Sequence, residues 1–182
     1  MPAVWKADAA VRESRALPAR SPTPARMLIA GVGYQHARDM SLGPVVIARL
    51  QHEVWPPGVQ LEDLSYGPIG VMHNLEARPP YDRIIFVAGV NRNRPPGRLY
   101  CYAWRHELPD PEEIQARVAE AVMGVISLDN LLIIMTYFQK LPQDVRVVEV
   151  EAADEGWGDG LSAIVEQAIP RVVEAIRQQV RG

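Results

Sequence analysis

Residues 26–50 of this chain have the sequence RMLIAGVGYQHARDMSLGPVVIARL, and this stretch decides the fold. The apolar run at 27–30 is too short for a helix but has the length of a buried strand, and it leads into Gly31-Val32-Gly33. Apolar residues return at 42, 45, 46 and 50, a spacing that places them on one face of a helix. The stretch therefore predicts a strand, a glycine turn and a helix. Because the crevice beyond the carboxyl end of a parallel strand is the usual place for a site, residues 33–43 are the first candidates for function.

Four more segments have the pattern of β-strands, at residues 59–64, 83–88, 98–104 and 144–150. The segment at 83–88 is continuously apolar, which indicates a central strand covered on both faces. Segments with helical spacing lie between most of the strands, and this alternation is typical of an α/β fold. We therefore predict a three-layer sandwich of the phosphorylase/hydrolase-like kind. Its sheet is expected to be mostly parallel, of about five strands, with helices on both faces.

The composition favours one globular domain at residues 26–182. The chain has 182 residues, of which 48% are hydrophobic, and a formal net charge of −3. Residues 1–25 are rich in Pro, Arg and Ala, which predicts a flexible tail or, alternatively, a basic docking arm. The mildly acidic balance argues against a nucleic-acid partner and against a membrane surface. Arg92, Arg94 and Arg98 lie in or beside a turn-forming segment, where they either bind an anionic partner or are solvated.

The chain has a single cysteine, Cys101, which lies in an apolar run. One cysteine cannot form an internal disulfide, so we expect a buried core thiol in a reducing compartment. No apolar run approaches the roughly 20 residues of a membrane span, and the N-terminus lacks the apolar core of a signal peptide. These features predict a cytoplasmic protein.

Most motifs that would define a chemistry are absent. A dinucleotide fingerprint would need a third glycine where His36 stands, and there is no phosphate loop, no nucleophile elbow and no cysteine pair for zinc. His36 is the only histidine in the expected crevice, three residues before Asp39. The two side chains either share a metal ion or a proton, or cap the helix and form local hydrogen bonds.

Three segments resemble the hydrogenase maturation proteases, the nickel-dependent endopeptidases that trim the C-terminus of the large subunit of nickel–iron hydrogenase. The first joins Gly31-Val32-Gly33-Tyr34 to Arg38-Asp39-Met40-Ser41-Leu42-Gly43. The second is Ile84-Ile85-Phe86-Val87-Ala88, followed by Pro96-Gly97. The third is Gly160-Leu161-Ser162 with Val165 and Ala168-Ile169-Pro170. The resemblance covers residues 26–180 and implies the fold of that family, with a hydrogenase large subunit as the expected partner.

Family members hold the nickel of their substrate with side chains whose positions, by this resemblance, fall on Met40, Val87 and Met123. None of these is a normal nickel ligand, because valine has no donor atom and a thioether does not replace a carboxylate. We therefore expect no metal and no cofactor, the alternative being nickel carried by the substrate. The three side chains are expected to lie together as the apolar floor of a pocket at the C-terminal edge of the sheet.

The glycines of the opening stretch are expected to serve the backbone of the crevice. A glycine turn brings backbone amides towards a site, and positive φ is the usual reason that such a turn needs glycine. This expectation concerns Gly31, Gly33 and Gly43.

Two functional hypotheses follow from the resemblance and its departures. The first is a non-catalytic maturation or binding factor for a hydrogenase large subunit or a related protein. The second is an active endopeptidase that processes the C-terminus of the large subunit with a relocated site. That site would use His36 and Asp39, together with a third polar residue such as His73 or Asp129.

Overall fold

The computed structural model describes residues 24–182, so the predicted tail at 1–25 lies outside that range except for its last two residues. The strands are β1 (Met27–Val32), β2 (Val59–Asp63), β3 (Arg83–Val90), β4 (Leu99–Ala103) and β5 (Asp144–Glu151). The helices are α1 (Leu42–Leu50), α2 (Pro68–Glu76), α3 (Pro111–Val122), α4 (Leu128–Tyr137), α5 (Ala163–Glu166) and α6 (Ile169–Arg181), and a 3-10 helix covers Arg38–Ser41. None of the helices in this part of the chain is long and apolar enough to cross a membrane.

The strands form one mixed sheet in the order β2-β1-β3-β5-β4. Strands β1, β2, β3 and β5 are parallel, while β4 pairs antiparallel with β5 at one edge. The predicted α/β class, the five strands and the mostly parallel sheet are confirmed. Strand β3 is central, as predicted from its apolar run, because seven of its eight residues are buried.

Two hydrophobic cores cover the two faces of the sheet. On one face, Leu28, Ile84 and Phe86 pack with residues of α2 and α4, and α3 packs outside α4. On the other face, Ile29 and Ile85 pack with residues of α1 and α6. Successive residues of β1 and β3 thus point into different cores, as the two-residue period of a strand requires. This alternation decides which side chains of β1 and β3 reach the site.

The glycines of the opening stretch allow close backbone contact, and the expected positive φ at these positions is wrong. Neither Gly31 nor Gly33 nor Gly43 has positive φ. A Cβ atom at Gly43 would instead lie 2.4 Å from the backbone N and O of Val32. One at Gly33 would lie 2.1 Å from the carbonyl oxygen of Met40. The start of α1 and the 3-10 helix therefore pack directly against the end of β1.

We expect the variant Gly43→Ala to be destabilised by about 2 kcal/mol, because the added methyl group would overpack a contact between two backbones. Helix propensity alone predicts the opposite sign, a stabilisation of about 1 kcal/mol for Ala over Gly inside a helix. Urea unfolding of the purified protein measures the difference.

The matched control is Gly70→Ala in α2, where the nearest atoms to an added Cβ belong only to the Tyr66 side chain, at 3.2 Å. This variant should stay within about 1 kcal/mol of the parent. Equal stabilisation of both variants would contradict the close-packing explanation.

Candidate functional site

A cavity of about 220 Å³ lies at the C-terminal ends of β1 and β3. This is the sheet edge where a site is expected in a parallel α/β fold. The ends of both strands form part of its wall, together with Met40 of the 3-10 helix, Arg117 in the middle of α3 and residues 126–129 at the start of α4. The residues that decide its chemistry are Gly33, Met40, Ala88, Arg117, Asp129 and Glu155.

The three side chains at the family's ligand positions do not form one floor, so that prediction is wrong. Met40 lines the cavity. Val87 is fully buried in the core beneath α1 and α6, and its neighbour Ala88 lines the cavity in its place. Met123 follows the last residue of α3 and is 74% exposed. The alternation along β3 explains the misplacement of Val87, and the wall expected from Met123 is formed by residues 126–129.

The residues at this cavity do not fit a nickel ion. Over residues 24–182 no group of three or more His, Cys, Asp or Glu side chains is close enough to hold a metal. The buried polar atoms left without a partner near this wall, within the described chain, are Nε of Arg117 and Nδ2 of Asn130. Both are hydrogen-bond donors, and the Arg117 guanidinium also donates to Oδ1 of Asn130 at 3.3 Å. The charge of Arg117 is balanced by Glu113 and Glu120, each 3.1 Å away, so this residue adds neither a free carboxylate nor an open ligand position to the wall.

Asp39 is buried, with no exposed surface, and it holds the segment 153–162. Its Oδ2 atom accepts hydrogen bonds from the backbone N–H of Ala153 and Asp154, at 2.8 and 2.9 Å, and from the hydroxyl of Ser162, at 2.8 Å. Its Oδ1 atom accepts one from the backbone N–H of Ser162, at 2.7 Å. Both oxygens are thus occupied by structural donors, and Asp39 is a buried anchor for the last loop.

His36 and Asp39 do not share a partner. The His36 ring nitrogen Nδ1 hydrogen-bonds the carboxylate of Asp159, and this side chain is 60% exposed. The other two residues considered for a relocated site lie elsewhere: His73 is exposed on α2, and Asp129 pairs with Arg92 at 2.9 Å. The structure therefore does not bring together the residues named for a relocated catalytic site.

Comparison with solved structures identifies the architecture. A hydrogenase 2 maturation peptidase from a Thaumarchaeota archaeon is 25% identical, with a TM-score of 0.61, over 85% of this chain and 97% of that chain. The hydrogenase maturating endopeptidase HybD from E. coli is 18% identical, with a TM-score of 0.64, over 86% of this chain and 92% of that chain. The chain has the fold of the hydrogenase maturation proteases. The resemblance predicted from the three sequence segments is confirmed.

A third similar structure is the NiFe hydrogenase maturation protease HybD from Thermococcus kodakarensis. It is 17% identical, with a TM-score of 0.58, over 85% of this chain and 99% of that chain. A scan against models of known protein families and a search of curated proteins found no match. The likeness to the hydrogenase maturation proteases thus extends over nearly all of the described chain, although few residues are identical.

Beside the cavity, an ionic network that the sequence did not predict holds the loop after β3. Arg92 pairs with Asp129 and Glu149, and Arg94 pairs with Glu149 at 2.6 Å and with Glu151 at 3.0 Å. Both glutamates are almost fully buried. These two arginines are therefore bound within the chain, whereas the sequence suggested an anionic partner or solvent.

The network shifts the pKa values of its members. Burial raises the pKa of Glu151, but the hydrogen bonds from Arg94 and Arg92 outweigh that effect, so the pKa lies below its usual value. For Arg92, burial lowers the pKa, and the hydrogen bonds with Asp129 and Glu149 raise it more, to well above its usual value. Both pKa shifts favour the ionised forms of Arg92 and Glu151.

Cys101, expected in the core, is exposed on the edge strand β4. The error arose because β4 is an edge strand with few buried residues, which its aromatic composition does not reveal. Partial desolvation, with a smaller effect from the charge of Glu149, raises the pKa of this thiol above its ordinary value. A raised pKa disfavours the reactive thiolate, so nothing here activates Cys101.

We expect Asp39→Asn to be destabilised by about 3 kcal/mol, because one carboxylate oxygen is replaced by an NH₂ group that faces N–H or O–H donors. Urea unfolding measures the loss, and hydrogen exchange should show faster exchange of the amides in 153–162. Ser162→Ala removes only one neutral donor and should lose about 1 kcal/mol. Equal stability of Asp39→Asn and the parent protein would show that Asp39 is not the anchor of this loop.

For Glu151→Gln we expect the free energy of unfolding to fall by about 3 kcal/mol at pH 7, because the substitution removes one of the two carboxylates that balance the Arg94 charge. The depressed pKa of Glu151 in the folded state means that its contribution is present above the unfolded-state pKa, about 4.3, and disappears as pH falls through the folded-state pKa. The gap between parent and variant in urea unfolding should therefore narrow between pH 7 and pH 3. Glu107→Gln, whose side chain is 77% exposed, is the control and should show no such gap.

Proposed function

We propose that this chain is a non-catalytic member of the hydrogenase maturation protease fold group. It binds a hydrogenase large subunit, or a related protein, without cutting it. The proposal is carried by one observation, the chemistry of the cavity wall at the sheet edge. That wall presents the thioether of Met40, the methyl group of Ala88 and the guanidinium of Arg117.

The acidic groups at the cavity support the same proposal because each has a partner within the chain. The carboxylate of Asp129 pairs with Arg92, and that of Glu155 accepts a hydrogen bond from the amide of Asn91. Recruiting either one to a metal would break its pairing within the chain. An apolar segment fits the wall better, since it would pack against the Met40 side chain.

An active endopeptidase with a relocated site has no support from the geometry. His36 is bound to Asp159, and both oxygens of Asp39 are bound to loop donors. We also propose a cytoplasmic location, because a single cysteine that lacks a disulfide partner within the chain suits a reducing compartment.

The direct test is incubation with the unprocessed, nickel-loaded large subunit of a nickel–iron hydrogenase. We expect a complex on size-exclusion chromatography and an unchanged mass of the large subunit by mass spectrometry. The E. coli endopeptidase HybD with its own substrate is the positive control for cleavage. A shortened large subunit would overturn the non-catalytic assignment, and the absence of any complex would overturn the binding role.

Met40→Arg should weaken binding of the large subunit by about tenfold or more, because it places a long cation in a cavity already lined by Arg117. Isothermal titration calorimetry measures the affinity. The matched control is Met123→Arg, the same substitution at a methionine that is 74% exposed outside the cavity. Equal effects of the two variants would show that the cavity is not the binding surface.

Nickel titration of the free protein provides a separate check on the metal. We expect only weak binding of the kind that a surface histidine gives, reduced in His36→Ala. Stoichiometric binding in the micromolar range would contradict the proposal and favour the endopeptidase.

A further inference from the structure

A tryptophan projects from the loop beside the cavity. Trp157 is 84% exposed, and its indole lies 6.3 Å, centroid to centroid, from the His36 ring. It occupies the same loop as Glu155, which lines the cavity wall. A largely exposed tryptophan leaves apolar surface in water, and tryptophan is enriched among the residues that dominate binding energy in protein interfaces.

The loop is held rigidly at both ends and in the middle. Asp39 accepts hydrogen bonds from Asp154 and Ser162, on either side of Trp157. Next to the tryptophan, the backbone N–H of Gly158 donates to the carbonyl of His36 at 2.7 Å, and the carbonyl of Gly158 accepts from the N–H of Arg38 at 3.1 Å. The tryptophan is thus presented on a pre-organised support, which reduces the entropy lost when a partner orders it.

Carboxylates flank this tryptophan in the sequence of its loop, at Asp154, Glu155 and Asp159. Arg38 contacts the loop, with its guanidinium 3.8 Å from the Asp154 carboxylate and 2.9 Å from the carbonyl oxygen of Asp159. The Asp159 side chain is 85% exposed even though it bonds His36. An aromatic face attracts cations, and nearby carboxylates add to this attraction. The surface therefore complements a positively charged side chain with an extended apolar stem.

We propose that Trp157 is the anchor for a basic segment of the protein partner, with an arginine of that segment stacked on the indole between the loop carboxylates. This inference rests on the proposed binding function and names the chemistry that the partner presents. The cavity and the tryptophan form adjoining parts of one surface, because Glu155 lines the cavity and lies in the same loop as Trp157. A segment that reaches Met40 in the cavity therefore passes this loop. Arginine fits better than lysine, since its planar guanidinium stacks on the ring and hydrogen-bonds carboxylates in the same plane.

The test uses the full chain and two probes. The first is the unprocessed large subunit, and the second is a fluorescein-labelled decapeptide with two central arginines, together with a twin in which citrulline replaces both. We expect Trp157→Ala to weaken binding of the large subunit by at least about tenfold, and Trp157→Phe by less. The decapeptide should bind the parent protein more tightly than its citrulline twin, and only while Trp157 is present.

Charge has its own variants and controls. The isosteric pair Glu155→Gln and Asp159→Asn should weaken arginine-peptide binding and reduce its dependence on salt, because fewer negative charges remain in the loop. Phe138→Ala is the matched control for Trp157→Ala. Its aromatic side chain is 41% exposed and follows α4 at the end away from the cavity. Thermal unfolding of each variant checks that the fold is retained.

The outcomes separate this inference from the function on which it rests. If the large subunit binds the parent and Trp157→Ala equally well, the tryptophan anchor is wrong and the binding role stands. If the large subunit does not bind but the arginine peptide binds through Trp157, the anchor stands and the hydrogenase partner is wrong. Equal binding of the arginine peptide and its citrulline twin would overturn the role of charge.

Discussion

The buried carboxylate of Asp39 joins the two ends of this domain. It lies in the 3-10 helix just after β1, and its four hydrogen bonds come from the loop between β5 and α5. A carboxylate without solvent contact is destabilising unless donors replace the lost water, and here all four donors belong to one loop. The position of that loop therefore depends on a side chain more than 110 residues away, given the separation of 114 between Asp39 and Ala153.

Close backbone packing makes this connection possible. A Cβ atom at Gly89 would lie 2.1 Å from the carbonyl oxygen of Asp39, and one at Gly33 would lie as close to the carbonyl of Met40. The 3-10 helix thus rests on the ends of β1 and β3 with no side chain between them. Because of this contact Asp39 points away from the sheet edge and towards the last loop, while Met40 faces the cavity. Within this short helix, Asp39 therefore stabilises the fold, whereas the adjacent Met40 lines the cavity.

The sequence was sufficient for the fold because the fold depends on long apolar runs. The run at 83–88 had to be a central strand, and five strands separated by helices allow few arrangements. The site was harder, because its chemistry changes with a shift of one residue. Val87 and Ala88 are adjacent in sequence but lie on opposite faces of the sheet, and only contacts in three dimensions distinguish them. Met123 was misplaced for a related reason, since a helix end gives no periodicity to fix its direction.

The partners of the polar residues were also not predictable from the sequence. Aspartate three residues after histidine is a sensible metal or proton pair in a sequence, yet the structure gives each a different partner in the 153–162 loop. Arg92 and Arg94 lie 55 or more residues from Glu149, so no local pattern reveals that these charges neutralise one another. What remains unpaired at the sheet edge is then informative. The acids at the cavity are bound by arginine or amide groups, Arg117 is bound by Glu113 and Glu120, and the rest of the wall carries apolar groups such as Met40 and Ala88. The chemistry of this edge thus follows from pairings between distant parts of the chain, and these pairings leave no local pattern in the sequence.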